Sequence, residues 1–318
     1  MRLSTAIMEA IPKNQILEYN SDTLEFLRKQ YELDKPERLE QAISILLDWL
    51  NKQDHIVRKN YSKGYLERVI IISKGSVERA KVKLDKIATY RTLLPRFFEP
   101  LKDLSKITLI NELIITLAPK MTQDHYRVLV AKNVGKKFDA GFMDFYRYLI
   151  MICEYVQAYD YCNGIVGVFD YTETNIYEMI KGMNVVDMQQ ALTIIMEGYG
   201  MRVKGIHFIT TSKAIDTFIK LFKTALSKKV AERIHVHNKL DTLYKYLPEE
   251  ILPSDYGGQE KSLDELSGDL KAALDSEHFM KYLKEMQNAC TNENYRRDDK
   301  FNDQYMGMPG SFRKLTVD

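Results

Sequence analysis

The sequence predicts an α/β protein in which a helical first third leads into a largely parallel sheet with helices packed on it. Two observations carry this reading. Between Ser21 and Pro119 the apolar residues recur at helical spacing, as in Leu39, Ala42, Ile43, Leu46, Leu47 and Leu50, with charges on the other side. From Tyr126 onward short β-branched runs alternate with helix-length segments, the pattern of strands joined by crossover helices.

In the first third, Ser76 with Glu78 soon after it caps the periodic segment VERAKVKLDKIATYRTLL, and Pro95 ends that helix. The strands expected after Tyr126 are YRVLVAKN, GIVGVFD, RVKGIHFI and the brief ERIHVH. Their continuous apolar runs suit parallel strands with both faces covered. Helices are expected between them over Phe142 to Tyr159, Val185 to Tyr199 and Ser212 to Leu226. Pro253, Gly257 and Gly258 punctuate the end of this region in LPSDYGG, and a further helical segment runs from Leu263 to Asn288. The remainder, with NENYRRDDKFNDQ and GMPGSFRKL, reads as a polar tail with a docking tip. The expected division is a helical domain over residues 1–105, an α/β domain over 106–260, and a C-terminal helix and tail over 261–318.

A chain of 318 residues with 45% hydrophobic and 28% charged residues has the composition of a globular protein able to bury a sizeable core. No apolar run is long enough to span a bilayer, and the opening MRLSTAIMEAIPKNQ, interrupted by Glu9 and stopped by Pro12, reads as neither a membrane span nor a secretory signal. Three cysteines, Cys153, Cys162 and Cys290, are odd in number and lack metal-ligand spacing, which fits a reducing compartment such as the cytosol.

Short catalytic signatures (a GxSxG elbow, a phosphate loop, GxGxxG after a strand, HExxH, paired CxxC) do not occur. His235 and His237 alternate onto one face of a strand, where a metal or a purely structural role is open to them, but no third ligand is apparent. Asp170 closes GIVGVFD at a strand's carboxyl end, a place for a ligand contact or for a turn cap. The expectation is no catalytic residue, no metal and no cofactor.

Charge is more informative. Formal net charge is only +2, yet from Met201 to Lys239 nine Lys or Arg stand against two acids, a local excess of seven. Such a patch suits an anionic partner, a membrane surface or phosphoinositide headgroup rather than nucleic acid, whose binding motifs are missing; a solvated face is the alternative. Within it Ile215, Phe218, Ile219, Phe222 and Leu226 form one helix face opposite Lys213, Lys220 and Lys223. Phe142, Phe145, Leu149, Ile152 and Val156 make a comparable stripe on another helix. Periodicity alone does not separate core packing from the lining of a cavity.

Taken in order, NGIVGVFD, RVKGIHFI, the amphipathic helix, SKKVAERIHVH and LPEEILPSDYGG resemble the CRAL-TRIO lipid-binding family, in its tocopherol- and retinaldehyde-binding branch. SVERAKVKLDKIATYR resembles the helical domain that precedes the lipid-binding one, so the likeness spans Leu24 to Gly258. The tail GSFRKLTVD is similar to that of insect members. The resemblance implies a mixed, largely parallel sheet, a lid helix, and a pocket for one hydrophobic molecule such as a tocopherol, retinoid, carotenoid or sterol. It places Ile165 and Phe169, Val203 and Ile206, Ile194, and the lid residues Phe218 and Phe222 on the pocket wall, joined by Phe142, Phe145 and Leu149 as expected lipid contacts.

The resemblance also implies phosphoinositide binding by Arg202, Lys204, Lys229 and Arg233, all basic here. Two departures stand out. Where the family has an arginine-rich FLRARK segment this chain reads VIIISK, with Ile71 and Ser73 at the arginine positions, and Gly200 stands where proline is common. The implied protein is a monomeric cytoplasmic carrier, peripherally bound to membranes, that transfers its lipid with help from anionic headgroups. A phospholipid exchanger or sensor, or a membrane-recruited adaptor without cargo, are the alternatives.

Overall fold

The computed structural model describes residues 10–135, 138 and 141–296, so the tail with GSFRKLTVD lies outside the described residues. Four helices open the chain: α1 (Thr23–Gln30), α2 (Pro36–Lys52), α3 (Lys63–Ile72) and α4 (Val77–Leu93). Local chemistry explains their ends. Pro36 sits in the first turn of α2, where a missing N–H costs nothing, and Ser62 Oγ accepts from Tyr65 N at 3.2 Å to cap α3. Ser76 Oγ accepts from Arg79 N at 3.3 Å, as the sequence predicts for α4. Between α3 and α4 the chain turns through Gly75 at φ 72°, where a Cβ would strike the Tyr31 carbonyl. The helices bury Leu27, Leu39, Leu46, Leu66 and Ile70 in a common core, which Met286 and Ala289 from the far end of the chain also enter.

After α5 (Thr108–Glu112) comes one five-stranded sheet: β1 (Leu113–Met121), β2 (Tyr126–Asn133), β3 (Gly164–Asp170), β4 (Val203–Ile209) and β5 (Ile234–His237). Sheet order equals chain order; β1 is antiparallel to β2 and the remaining pairs are parallel. The connections carry α6 (Met143–Tyr159), α7 (Ile176–Gly182), α8 (Val185–Thr193), α9 (Ile215–Lys223) and α10 (Lys228–Ala231). Strand β1 corrects the reading of a helical segment running to Pro119. Its run LIITLA is short and apolar but for Thr116, so neither a period of 3.6 nor one of 2 is visible in it. The single helix expected over 263–288 is two, α11 (Leu263–Asp275) and α12 (Glu277–Met286), because Ser276 caps the second through Phe279 N at 3.3 Å. No helix of the described residues is long and apolar enough to cross a membrane.

The period of two along the strands sorts side chains onto two faces. Val128, Val130, Val166, Val168 and Ile209 pack on the back against Leu243, Leu247, Ile251 and Leu252. Leu129, Ile206 and Phe208 face front, toward α6. One buried ion pair ties these layers together: Arg127, fully buried on β2, donates through Nε and Nη2 to both Asp160 oxygens at 3.0 Å. The same guanidinium reaches the Ala118, Pro119 and Glu18 carbonyls. Removing one partner strands a charge in the core, so Asp160→Ala should cost about 3–5 kcal/mol in denaturant unfolding; a loss under 1 kcal/mol would show the pair to be dispensable.

The back face also holds three stacked imidazoles. His207 Nδ1 and His237 Nε2 share a hydrogen bond at 2.9 Å, and His207 lies 5.0 Å from the His235 ring. Burial, then His237 and His235, push the His207 pKa down to about 3. The unfolded chain takes up this proton near pH 6.5, so the stability from keeping His207 neutral is complete above that pH and drains away as pH falls toward 3. The melting temperature is expected to drop across that range, and His207→Gln to flatten the drop; parallel curves for the two proteins would refute the assignment.

Candidate functional site

An apolar cavity lies on the front face of the sheet, beneath α6 and the α7–α9 segment. With its mouth it holds about 1210 Å³ of atom-free space. The sheet floor supplies Ile165 and Phe169 from β3 and Val203 and Ile206 from β4. Phe142, Phe145 and Leu149 enter it from α6 and its first turn, and Phe218 and Phe222 from α9. The floor is hollowed at Gly167, where a Cβ would collide with the Phe169 ring. Ile194 is fully buried and stands off the wall, which is formed there by Leu192, Ile195 and Met196. A π turn, Ile194–Gly198, continues α8 and widens its last turn, rotating the inward face by about one position.

Helix α9 closes one side. Its inner face is an aromatic cluster: the Phe218 ring meets Phe208 and Tyr171 edge-on at 5.7 Å and stacks with Phe222 at 5.6 Å. Lys213, Lys220 and Lys223 are exposed on or beside this helix. Gln189 Nε2 on α8 donates to Thr224 Oγ1 at 3.2 Å just past its end. Next to α9, helix α7 exposes Tyr177, and α8 exposes Val185 and Val186.

Five methionines on the wall, Met179, Met183, Met188, Met196 and Met201, escape the sequence reading. Their concentration between 179 and 201 is a signal available in the sequence, since thioethers fill irregular apolar spaces. No lining residue carries a formal charge. The hydrogen-bonding side chains on the wall are Tyr146, Tyr171 and Cys153, and burial raises the pKa of each, keeping all three protonated. Chemically, such a wall removes apolar surface from water and offers a charged group no partner.

The basic residues gather in part. Burial and then the nearby cations Lys229, Arg202, Arg79 and Arg233 lower the pKa of exposed Lys74. Arg202 stacks on the Tyr31 ring at 4.8 Å, and Arg233 Nη1 donates to the Val203 carbonyl. Lys204 is engaged elsewhere, 3.7 Å from Asp124 and over the Tyr126 ring. Ile71 and Ser73 are buried, while the adjacent Lys74 supplies a cation from the α3–α4 turn.

Asp170 is a turn residue: its Oδ1 accepts from Thr172 N at 2.9 Å and its Oδ2 from Tyr256 Oη at 3.1 Å. His235 and His237 belong to the back-face stack with His207, and among the described residues no group of three or more His, Cys, Asp or Glu side chains is placed to hold a metal ion.

Comparison with known proteins locates this architecture. The chain is 22% identical over 291 residues to an alpha-tocopherol transfer protein-like protein of Mus musculus, covering 88% of this chain and 82% of that one. Its human counterpart is 21% identical over 283 residues with the same coverage. Clavesin-2 of Rattus norvegicus is 28% identical over 97 residues, 30% of this chain and 29% of that one. The crystal structure of Sfh5 aligns at TM-score 0.49 and 14% identity over 85% of this chain and 99% of that one. A profile of the CRAL/TRIO domain matches residues 111–258, the segment that contains the whole sheet and α9. Residues 111–258 therefore match the CRAL/TRIO domain, and the relatives of this chain include tocopherol-transfer-like proteins and clavesins.

Proposed function

We propose that this protein carries one neutral hydrophobic lipid, of tocopherol, retinoid, carotenoid or sterol type, and passes it to or between membranes without chemical change. The observation that carries the reading is the cavity on the front of the sheet, walled by apolar and aromatic side chains with no formal charge. Burying several hundred Å² of ligand surface there would contribute on the order of 10 kcal/mol before entropy costs, so the ligand would scarcely leave unaided. Release would follow movement of α9 at a membrane.

The surface around α9 supports that step. Exposed Tyr177, Val185 and Val186 offer apolar contacts, and Lys213, Lys220 and Lys223 offer charge. Arg202, Lys229 and Arg233, joined by Lys74, are the proposed contacts to an anionic headgroup such as a phosphoinositide; Lys204 is the outlying member of that set. In this proposal residues 1–105 form the helical domain, 106–260 the lipid-binding domain and 261–318 a C-terminal helical segment and tail, and the protein works as a cytoplasmic monomer that visits membranes.

Mass spectrometry of an organic extract, taken after incubation with tocopherols, retinoids, carotenoids, sterols and phosphoinositides, should find one apolar species near one per chain. Ile206→Trp, which fills the floor, should lower that content at least tenfold. A phospholipid in the extract would make the protein an exchanger, and an empty pocket an adaptor. Separately, Lys229→Glu with Arg233→Glu should weaken binding to anionic vesicles about tenfold while ligand content stays intact; unchanged vesicle binding would reduce the patch to a solvated face.

A further inference from the structure

We infer that Lys83 is a proton-coupled member of the basic patch, a buried amine that takes up a proton when a phosphate group binds beside Arg202. The inference rests on the anionic-surface reading above and adds to it a residue and a mode of regulation.

Lys83 lies on α4 and is only 9% exposed. Among the described residues its ammonium has no hydrogen-bond or ion-pair partner. Its end lies over Gly200, which adopts φ +60° just before β4; a Cβ at that position would overlap both Cε and Nζ of Lys83. The bare backbone of Gly200 is what leaves room for the amine.

Beyond this glycine stands Arg202. Its guanidinium donates to the Tyr31 hydroxyl and to Asn163 Oδ1 at 2.9 Å, both neutral, and its buried Nε has no partner. Two neighbouring cations are thus held without a carboxylate between them, and Lys74, Arg79, Lys229 and Arg233 add like charge on the outer side. Acids on the packed elements are already engaged. Glu197, on the turn that packs against α4, pairs with Lys86 at 2.7 Å, and Glu154 accepts from Tyr199 at 2.6 Å and pairs with Arg91.

Burial first, and Arg202 second, lower the Lys83 pKa to about 7, so about half the amine is neutral at that pH in the unliganded protein. A phosphate monoester dianion is the matching ligand chemistry: it brings up to two negative charges to an uncompensated cluster. Its field favours the ammonium, and the proton comes from solvent. Affinity should therefore be highest where Lys83 is already protonated and fall as pH rises above 7. The phosphate's own second ionisation, near pH 6, lies below that window.

The test is titration calorimetry of the full chain at pH 8, in two buffers of different ionisation enthalpy. The probes are inositol trisphosphate, inorganic phosphate, and phosphatidylcholine vesicles containing phosphatidylinositol bisphosphate. The expected result is uptake of close to one proton per bound ligand molecule and roughly tenfold weaker binding at pH 8.5 than at pH 7. Lys83→Met should abolish the uptake and flatten the pH profile; Lys83→Arg should keep the affinity and lose the slope. Uptake with vesicles and inositol trisphosphate assigns the site to a lipid headgroup, and uptake with inorganic phosphate alone assigns it to free phosphate. Binding without proton uptake, or uptake that persists in Lys83→Met, overturns the inference and leaves the anionic-surface reading standing. Failure of every probe to bind overturns both.

Discussion

The Arg127–Asp160 pair is the constraint on which the rest of the architecture hangs. An arginine with no solvent exposure is tolerable only if its donors are satisfied, and here they are spent on three separate parts of the chain. Asp160 ends α6, Ala118 and Pro119 lie on β1 at its irregular register with β2, and Glu18 belongs to the segment leading into α1. One planar group thereby sets the distance between the sheet and the end of the helix that roofs the cavity. Farther along α6, Glu154 does similar work: Tyr199 and Tyr282 donate to it and Arg91 pairs with it.

These anchors matter because an apolar cavity is under pressure to close. Walls that could approach one another would gain dispersion contacts and lose surface. Polar tethers at the rim hold α6 off the strands, and Gly167 removes side-chain bulk from the floor. The opposite wall is built differently. The α7–α9 segment contributes methionines and phenylalanines that can repack, and its described tie to the end of α9 is a single amide–hydroxyl hydrogen bond. The molecule thus combines a stiff floor and roof with a yielding side, the distribution of stability expected where a ligand must enter. The basic residues Lys229 and Arg233 follow α9 within ten residues, so the basic patch adjoins the yielding wall.

Much of this was legible in the chain because it is governed by neighbours in sequence. The Ser76 cap, strands β2 to β5, the stripe on α6 and the two-sided α9 all declare themselves through spacing, since a helix or strand repeats its environment every 3.6 or 2 residues. Nine of the ten residues assigned to the pocket from the sequence and its resemblance lie on the cavity wall; the repeat gives their facing, and only the resemblance marked that face as a pocket rather than core.

What the tertiary structure alone decided are the matters that depend on which segments meet. Strand β1 is a strand because β2 pairs with it; its own residues would serve a helix as well. Ile194 leaves the wall because a π turn rotates it, an insertion with no local signature. His207 completes a stack that the sequence shows only as His235 and His237, since parallel register places it opposite His235. Lys204 turns to Asp124 while Lys74 and Lys83, remote in sequence, come to Arg202 and its neighbours. Charge and facing along an element are local properties and can be read one residue at a time. The company a side chain keeps is set by the packing of distant elements, and no spacing within the chain encodes it.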